Sequence, residues 1–429
     1  MQRHSSFSTR YLIAATGLLM AVSIINITDK ELLAPVVDAV KADLGLSDTQ
    51  IGMVRSSVFL AALLGQFFWG PLSDRWVRKY IIAIGTVIWS AVTWMTAFVS
   101  GFGGLLLARS AMSFAEGCFN PSAYALLSDS VPRRRHGLML GLMGLTYPVG
   151  TATALVVAGV IGTQNWRQPF IIFGVLGILL GLLVLVVIRE PQRGGSEEAV
   201  QATGGEYTGR FSLAEVRRLL AIPSIWLAFG LDTAQSVVNW SFAFWAPTYL
   251  TRYAIAPNAE AAALALLPAI LGFVGGAVLG GVLIDRLRRR TPLAPAYVSL
   301  AAMVSGFFLA LVVFNINRLA PLMAAAFFLG LATYMAQPAV TVVLFGVTAP
   351  EARATTISAS NIVLNLAVAL VSLLIGMVSD AAGLRLAFGG SVLAAYSFGV
   401  LVCLGLLRTY GRDVSRRDAR VAEKVVEVP

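Results

Sequence analysis

The sequence predicts an all-α membrane protein with twelve transmembrane helices arranged as two six-helix halves. Three observations carry that expectation. The chain of 429 residues is 57% hydrophobic and only 13% charged, with a mean hydropathy of +0.78, a balance that soluble domains rarely reach. Apolar runs of about 20 residues recur along the whole length, each long enough to cross roughly 30 Å of hydrocarbon. No alternating strand pattern accompanies them, so helices are the spanning structure that remains.

The first run follows a basic N-terminus, "MQRHSSFSTR", which mimics a secretory signal. It is long and lacks an evident small-residue cleavage site, so it reads as the first membrane helix. The twelve segments fall at about 11–37, 50–71, 80–101, 103–130, 138–161, 168–188, 222–250, 262–284, 295–314, 320–346, 355–379 and 386–408. Residues 1–188 then form the N-terminal half, 189–221 a linker, 222–408 the C-terminal half and 409–429 a polar, loose tail. The later part of the linker, "SLAEVRRLL" (Ser212–Leu220), has the pattern of a short amphipathic helix on the membrane surface.

Loop charge sets the orientation. One set of loops holds Arg75, Arg78 and Lys79, then Arg133, Arg134 and Arg135, then Arg286, Arg288, Arg289 and Arg290. The opposite set holds isolated cations: Lys41, Arg167, Arg252, Arg318 and Arg385. The positive-inside rule puts the first set, both termini and the linker in the cytoplasm, so the expected location is the cytoplasmic (inner) membrane. This distribution accounts for the net charge of +10, and no nucleic-acid partner is expected. Cys118 and Cys403 both lie inside apolar runs, which argues against a disulfide framework or a metal site. The two histidines, His4 and His136, lie outside the membrane segments, no nucleophile–base set is visible, and there is no Walker loop. The expectation is therefore no enzyme and no cofactor. A receptor on such a scaffold would carry a large soluble extension, and the linker and tail are short.

The halves repeat. "GPLSDRWVRK" (Gly70–Lys79) follows segment 2 and "GGVLIDRLRRR" (Gly280–Arg290) follows segment 8, so Asp74 and Asp285 occupy corresponding places. "RHGLMLGL" before segment 5 and "RATTISAS" before segment 11 stand at a similar offset. Duplication of a six-helix unit is a transporter signature.

On these residues the chain resembles the major facilitator superfamily over nearly its whole length. The loop after segment 2 is similar to that superfamily's Gly-x-Leu-x-Asp-Arg-x-Gly-Arg-Arg signature, with Val77 in place of the second glycine. Within the superfamily the chain is most similar to the spinster-like group. "DRWVRK", "LLLARSAMSFAEG" (Leu105–Gly117), "WRQPFIIFGVLG" (Trp166–Gly177), "REPQRG" (Arg189–Gly194) and "FWAPTYL" (Phe244–Leu250) carry that likeness. The anion:cation symporter group shares the segment 4 pattern and the "WxPTYL" phrase. It usually keeps the loop glycine and an Arg after the segment 1 Asp, where this chain has Lys30. The resemblance implies the major facilitator fold and a monomeric, proton-coupled secondary transporter working by alternating access. Spinster-like relatives imply lysolipids and other amphipathic molecules as substrates, and the symporter group implies small organic carboxylates.

Candidate site residues follow from charge inside apolar segments, which is expensive and usually faces a water-filled cavity. "NITDKELLAPVV" (Asn26–Val37) places Asp29, Lys30 and Glu31 in segment 1 with apolar residues on both sides. Either the triplet marks the outer end of the helix or it serves a cavity. The apolar "LLAPVV" that follows favours a cavity role for Asp29. Successive residues fan out by about 100°, so the three charges cannot all point the same way, and Glu31 is expected at the interface with Lys30 open between the two. Asp29 aligns with the acidic position of spinster-like segment 1, and Glu116 with the segment 4 acid. Glu116 stands two turns after Arg109, on roughly one face. A Glu116–Arg109 contact that forms and breaks would load and release a proton; the alternative is a structural pair. Arg55 could bind an anionic substrate or snorkel to the surface.

On segment 7, Asp232, Gln235 and Asn239 form one polar stripe at i, i+3, i+7, facing a cavity or a packed neighbour. Asp232 has no acidic counterpart in the spinster-like group. Tyr124, Tyr147, Tyr334 and Gln337 serve either substrate contact or plain packing, with packing the favoured reading. Asp74, Arg75, Arg78, Asp285 and Arg286 are candidate gating residues at the cytoplasmic mouth. "MGLTYPVGTATA" (Met143–Ala154) offers a bend or a close approach in segment 5.

Overall fold

The computed structural model describes residues 8–131, 136–191, 221–348 and 353–426. The proposed amphipathic linker helix and Arg133–Arg135 lie outside the described residues. All regular elements among the described residues are helices. The chain divides into two compact units, residues 1–207 and 208–429.

In the first unit, α1 (Thr9–Glu31) begins at Ser8, whose hydroxyl accepts from the Tyr11 N–H at 3.3 Å. It stops before Pro35, which lacks an N–H to continue the ladder. The chain turns through a 3₁₀ segment (Ala34–Val36) and α2 (Val37–Leu44), closed by Gly45 at φ +64°, a left-handed position suited to glycine. Ser47 and Gln50 then form a capping box for α3 (Asp48–Arg75). There follow α4 (Arg78–Thr96), α5 (Phe102–Glu116), α6 (Phe119–Ser130), α7 (His136–Gly144), α8 (Thr146–Ile161) and α9 (Arg167–Val187). Gly174 and Gly181 bring α9 close to α4. A Cβ at Gly174 would stand 2.6 Å from the Trp94 backbone nitrogen, and one at Gly181 would stand 2.8 Å from Val87.

In the second unit the helices are α10 (Pro223–Arg252), α11 (Ala259–Arg288), α12 (Ala294–Asn315), α13 (Leu319–Met335), α14 (Gln337–Val347), α15 (Arg353–Ala382) and α16 (Leu384–Val426). Gly272, Gly276 and Gly280 of α11 lie against the backbone carbonyls of Phe327, Leu331 and Met335 of α13, with no room for a side chain. Small residues every fourth position let the two backbones touch.

All twelve expected segments are helical, but not all are continuous. Segment 4 breaks at Gly117–Cys118, segment 5 at Leu145 and segment 10 at Ala336. By length and composition, ten helices among the described residues suit a membrane crossing. The two other segments are the broken α5–α6 and the polar-striped α10. The tail also differs from expectation: α16 continues as helix to Val426.

Candidate functional site

Asp29, Lys30 and Glu31 are the last three residues of α1. The carbonyls at a helix C-terminus have no intrahelical donors and form the negative end of the dipole. Two guanidinium groups take them up. Arg55 of α3 donates Nη1 to the Lys30 carbonyl at 3.1 Å and Nη2 to Glu31 Oε1 at 2.8 Å. Arg109 of α5 donates Nη2 to the carbonyls of Asp29 (2.7 Å) and Lys30 (3.0 Å), while its Nη1 lies 3.0 Å from Met112 Sδ. The planar fork of arginine suits such a double contact. Arg55 lies over the Phe59 ring at 5.1 Å and Arg109 near Phe170 at 5.9 Å.

These contacts correct two expectations. Glu31 is fully buried in an ion pair with Arg55, not interfacial, because the break in α1 turns it inward. Arg55, 2% exposed, does not snorkel to the surface. Its donors hold the helix end.

A third correction concerns Glu116. It is the last residue of α5, and its ion-pair partner is Lys30, with Nζ 3.5 Å from Oε2. Arg109 forms no ion pair with it among the described residues, being engaged on the α1 carbonyls. Lys30 also donates to Asn26 Oδ1 at 3.1 Å, one turn back on α1. The Lys30 side chain is 22% exposed and that of Glu116 only 1%. Asp29 is completely buried. Glu116, Arg109, Lys30 and the Thr93 hydroxyl lie within electrostatic reach of it. Neither of its carboxyl oxygens accepts a hydrogen bond of normal geometry from a described residue, and the same holds for both oxygens of Glu116. The unit thus brings together two buried carboxyls and one ammonium that solvent reaches. Asn26 was missed in the sequence, although its i, i+4 spacing to Lys30 is a legible signal. Thr93 was missed because nothing in α4 marks it as facing Asp29.

In the second unit the stripe on α10 is used between helices. Ser360 of α15 donates to Asp232 Oδ2 at 2.7 Å, and Gln235 donates to Gln337 Oε1 of α14 at 2.6 Å. Asn239 is buried beside them. Tyr334 stacks on Phe273 with centroids 4.6 Å apart. Tyr147 is half-buried in the first unit and Tyr124 is exposed there.

Of the gating candidates, Arg78 donates to Asp129 at the end of α6 at 2.5 Å. The backbone N–H groups of Arg78 (3.0 Å) and Lys79 (2.9 Å) both go to the carboxylate of Glu190. Glu190 therefore caps the positive end of α4. It was missed, although an acid directly after an apolar run is a recognisable position for such a cap. Arg75, Asp285 and Arg286 are exposed, and Asp285 and Arg286 form no ion pair among the described residues of their unit. Asp74 lies in the last turn of α3, and its side chain is outside what is described.

A multi-pass helical membrane protein with charge buried inside its first compact unit is the class that fold and site define. The chain belongs to the Major Facilitator Superfamily, which it matches over residues 19–317. It is similar to the sphingosine-1-phosphate transporter of Danio rerio, 23% identical over 312 residues, which are 68% of this chain and 61% of that protein. It is also similar to the probable L-galactonate transporter of Escherichia coli K12, 28% identical over 274 residues, 62% and 60% of the two chains. The matched stretches cover 47% to 65% of the lengths of these two relatives and of spinster homologs from Xenopus tropicalis and Danio rerio. A solved bacterial homolog of the human lysosomal transporter Spinster shares the fold with a TM-score of 0.82 at 21% identity, covering 95% of this chain and 99% of that one.

Proposed function

We propose that the protein is a proton-coupled secondary active transporter that moves an amphipathic organic anion of the lysolipid type by alternating access. It acts as a monomer in the cytoplasmic membrane, with both termini in the cytoplasm. The observation that carries the reading is the Glu116–Lys30 pair beside Asp29. While Glu116 is ionised, its charge occupies the Lys30 ammonium. A proton on Glu116 removes that charge and leaves Lys30 to the anionic head of a substrate. Loss of the anion restores the pair and returns the proton. Proton and anion thus favour the same state of the site.

Small organic carboxylates are the second reading, motivated by the likeness to the L-galactonate transporter. A small hydrophilic acid is bound by several converging polar and cationic groups, and Arg55 and Arg109 are committed to the end of α1. Lys30 alone suits a substrate with one charged head and an apolar body, which favours the lysolipid reading.

The test uses purified protein in liposomes with a pH dye trapped inside. Lysophosphatidylglycerol and L-galactonate are added separately to the native protein, Asp29→Asn and Glu116→Gln. Lysolipid-driven proton movement that both variants lose supports the proposal. Movement with galactonate alone supports the second reading. Variants that still couple would overturn the assignment and turn attention to Asp232.

A further inference from the structure

We infer that Trp69, together with the Gly65–Gly117 contact, positions Glu116 opposite Lys30 by holding the break in segment 4. The inference rests on the proposed proton role of Glu116.

α5 ends at Glu116 because the next turn tightens. The Gly117 N–H bonds to Phe114 O at 3.3 Å and the Cys118 N–H to Ala115 O at 3.2 Å, one residue short of the α pattern. The Phe114 carbonyl keeps only that long bond from its own helix. The indole N–H of Trp69, on α3, donates to it at 2.9 Å. Indole nitrogen is a donor only, so the contact has one sense.

The approach that permits this bond is built from glycine on both sides. Gly65 lies one turn before Trp69, and a Cβ there would overlap Phe114 O. A Cβ at Gly117 would stand 2.8 Å from the Gly65 carbonyl carbon and 3.0 Å from the Gln66 nitrogen. Phe68, Trp69 and Phe114 pack around the junction, with centroids 5.1 to 6.3 Å apart. Further along the same interface Ser113 donates to Val58 O at 2.8 Å and Ser110 to Ser57 Oγ at 2.9 Å. α3 and α5 are therefore fastened at several levels, and the last fastening lies at the residue before Glu116's own turn ends.

The position matters because the Lys30–Glu116 separation of 3.5 Å is long for an ion pair. A small displacement of the α5 end changes the charge that Glu116 feels. A group that served packing alone would change stability and leave the protonation of Glu116 where it was.

The experiment is pH-titrated infrared difference spectroscopy of the full-length protein in nanodiscs. The protonated-carboxyl band that disappears in Glu116→Gln reports Glu116. Trp69→Phe keeps an aromatic ring and removes the donor; Gly65→Ala presses a methyl on the same carbonyl from the same face of α3, one turn earlier. The expected result is that each variant moves the midpoint of the Glu116 band by about one pH unit, the scale on which a neighbouring charge acts on a carboxyl. An unchanged midpoint in both variants overturns the positioning role while leaving Glu116 a proton carrier. Absence of any Glu116-dependent band in the native protein overturns both. If Trp69→Phe does not fold, the midpoint in Gly65→Ala decides alone.

Discussion

Glu31 and Arg55 carry opposite charges into a place where neither meets water, 0% and 2% exposed. Removing one partner of such a pair leaves an uncompensated buried charge, which costs about 3–5 kcal/mol, whereas apolar replacement of both is far milder. Glu31→Leu and Arg55→Leu should each lower the unfolding temperature in detergent strongly, and the double variant should lose much less than their sum. Additive losses would mean that the two charges are not coupled. Part of the Arg55 loss is expected to persist, since Arg55 also holds the Lys30 carbonyl. Asn26 has a subtler role. It accepts from Lys30, and one such bond contributes about 0.5–1.5 kcal/mol. If the proposed lysolipid reading holds, Asn26→Ala should therefore change the apparent KM for lysophosphatidylglycerol by about twofold to tenfold with little change in maximal rate. A collapse of the maximal rate instead would place Asn26 in the proton step.

Helix α11 meets α13 through one row of glycines and shows open space at another. Gly276 faces the Leu331 carbonyl with no room for a methyl, whereas nothing lies within 4 Å of a Cβ at Gly275 or Gly281. Overpacking typically costs about 1–3 kcal/mol, and an unobstructed Gly→Ala in a helix gains up to about 1 kcal/mol. Thermal unfolding should thus separate Gly276→Ala, destabilised, from Gly275→Ala, neutral or stabilised. Equal effects would show that the row does not set the approach. At the other end of this unit, the helical tail is tied to two helix termini. Asp413 accepts from the Ser224 N–H (3.2 Å) and hydroxyl (2.6 Å) at the start of α10, and Arg417 donates to Gly346 O at 3.1 Å at the end of α14. An acid on a helix start and a base on a helix end both oppose the local dipole. Asp413→Ala removes an N-cap and should cost about 0.5–2 kcal/mol, measured by the same unfolding assay; no loss would make the tail an unattached extension.

The order of the membrane segments was legible in the sequence because a run of apolar residues must satisfy its backbone internally wherever it crosses lipid. The bend at Leu145 was legible in the proline and glycines of Met143–Ala154, and Pro338 stands just after the break at Ala336. The break at Gly117 was not, since hydropathy continues across it and the Trp69 contact at Phe114 comes from another helix. The acids and cations of the site were legible as charges in apolar runs. Their pairing was not, because Arg109 and Arg55 compete for the carbonyls of a helix end that only the fold exposes. Loop charge is the remaining large-scale signal, and the structure sharpens it. Within the first unit, Lys41 pairs with Asp48, and Arg167 with Asp43 at 2.6 Å. Within the second, Arg385 donates to Tyr249 (3.2 Å) and Asn317 (3.1 Å). Arg75, Arg286, Arg288, Arg289 and Arg290 are exposed at the opposite ends of their units. Two of the five isolated cations, Lys41 and Arg167, are thus neutralised by adjacent acids, while the exposed arginines cluster on the loops that the positive-inside rule assigns to the cytoplasm. The native thiols Cys118 and Cys403 are buried and should label slowly. A cysteine at exposed Gln164, between α8 and α9, should react with a membrane-impermeant maleimide in intact cells, and one at exposed Arg289 only after permeabilisation. The reverse pattern would invert the topology and remove the cytoplasmic placement of both termini, and labelling of both from outside would mean that the Arg289 loop is not retained by its charge.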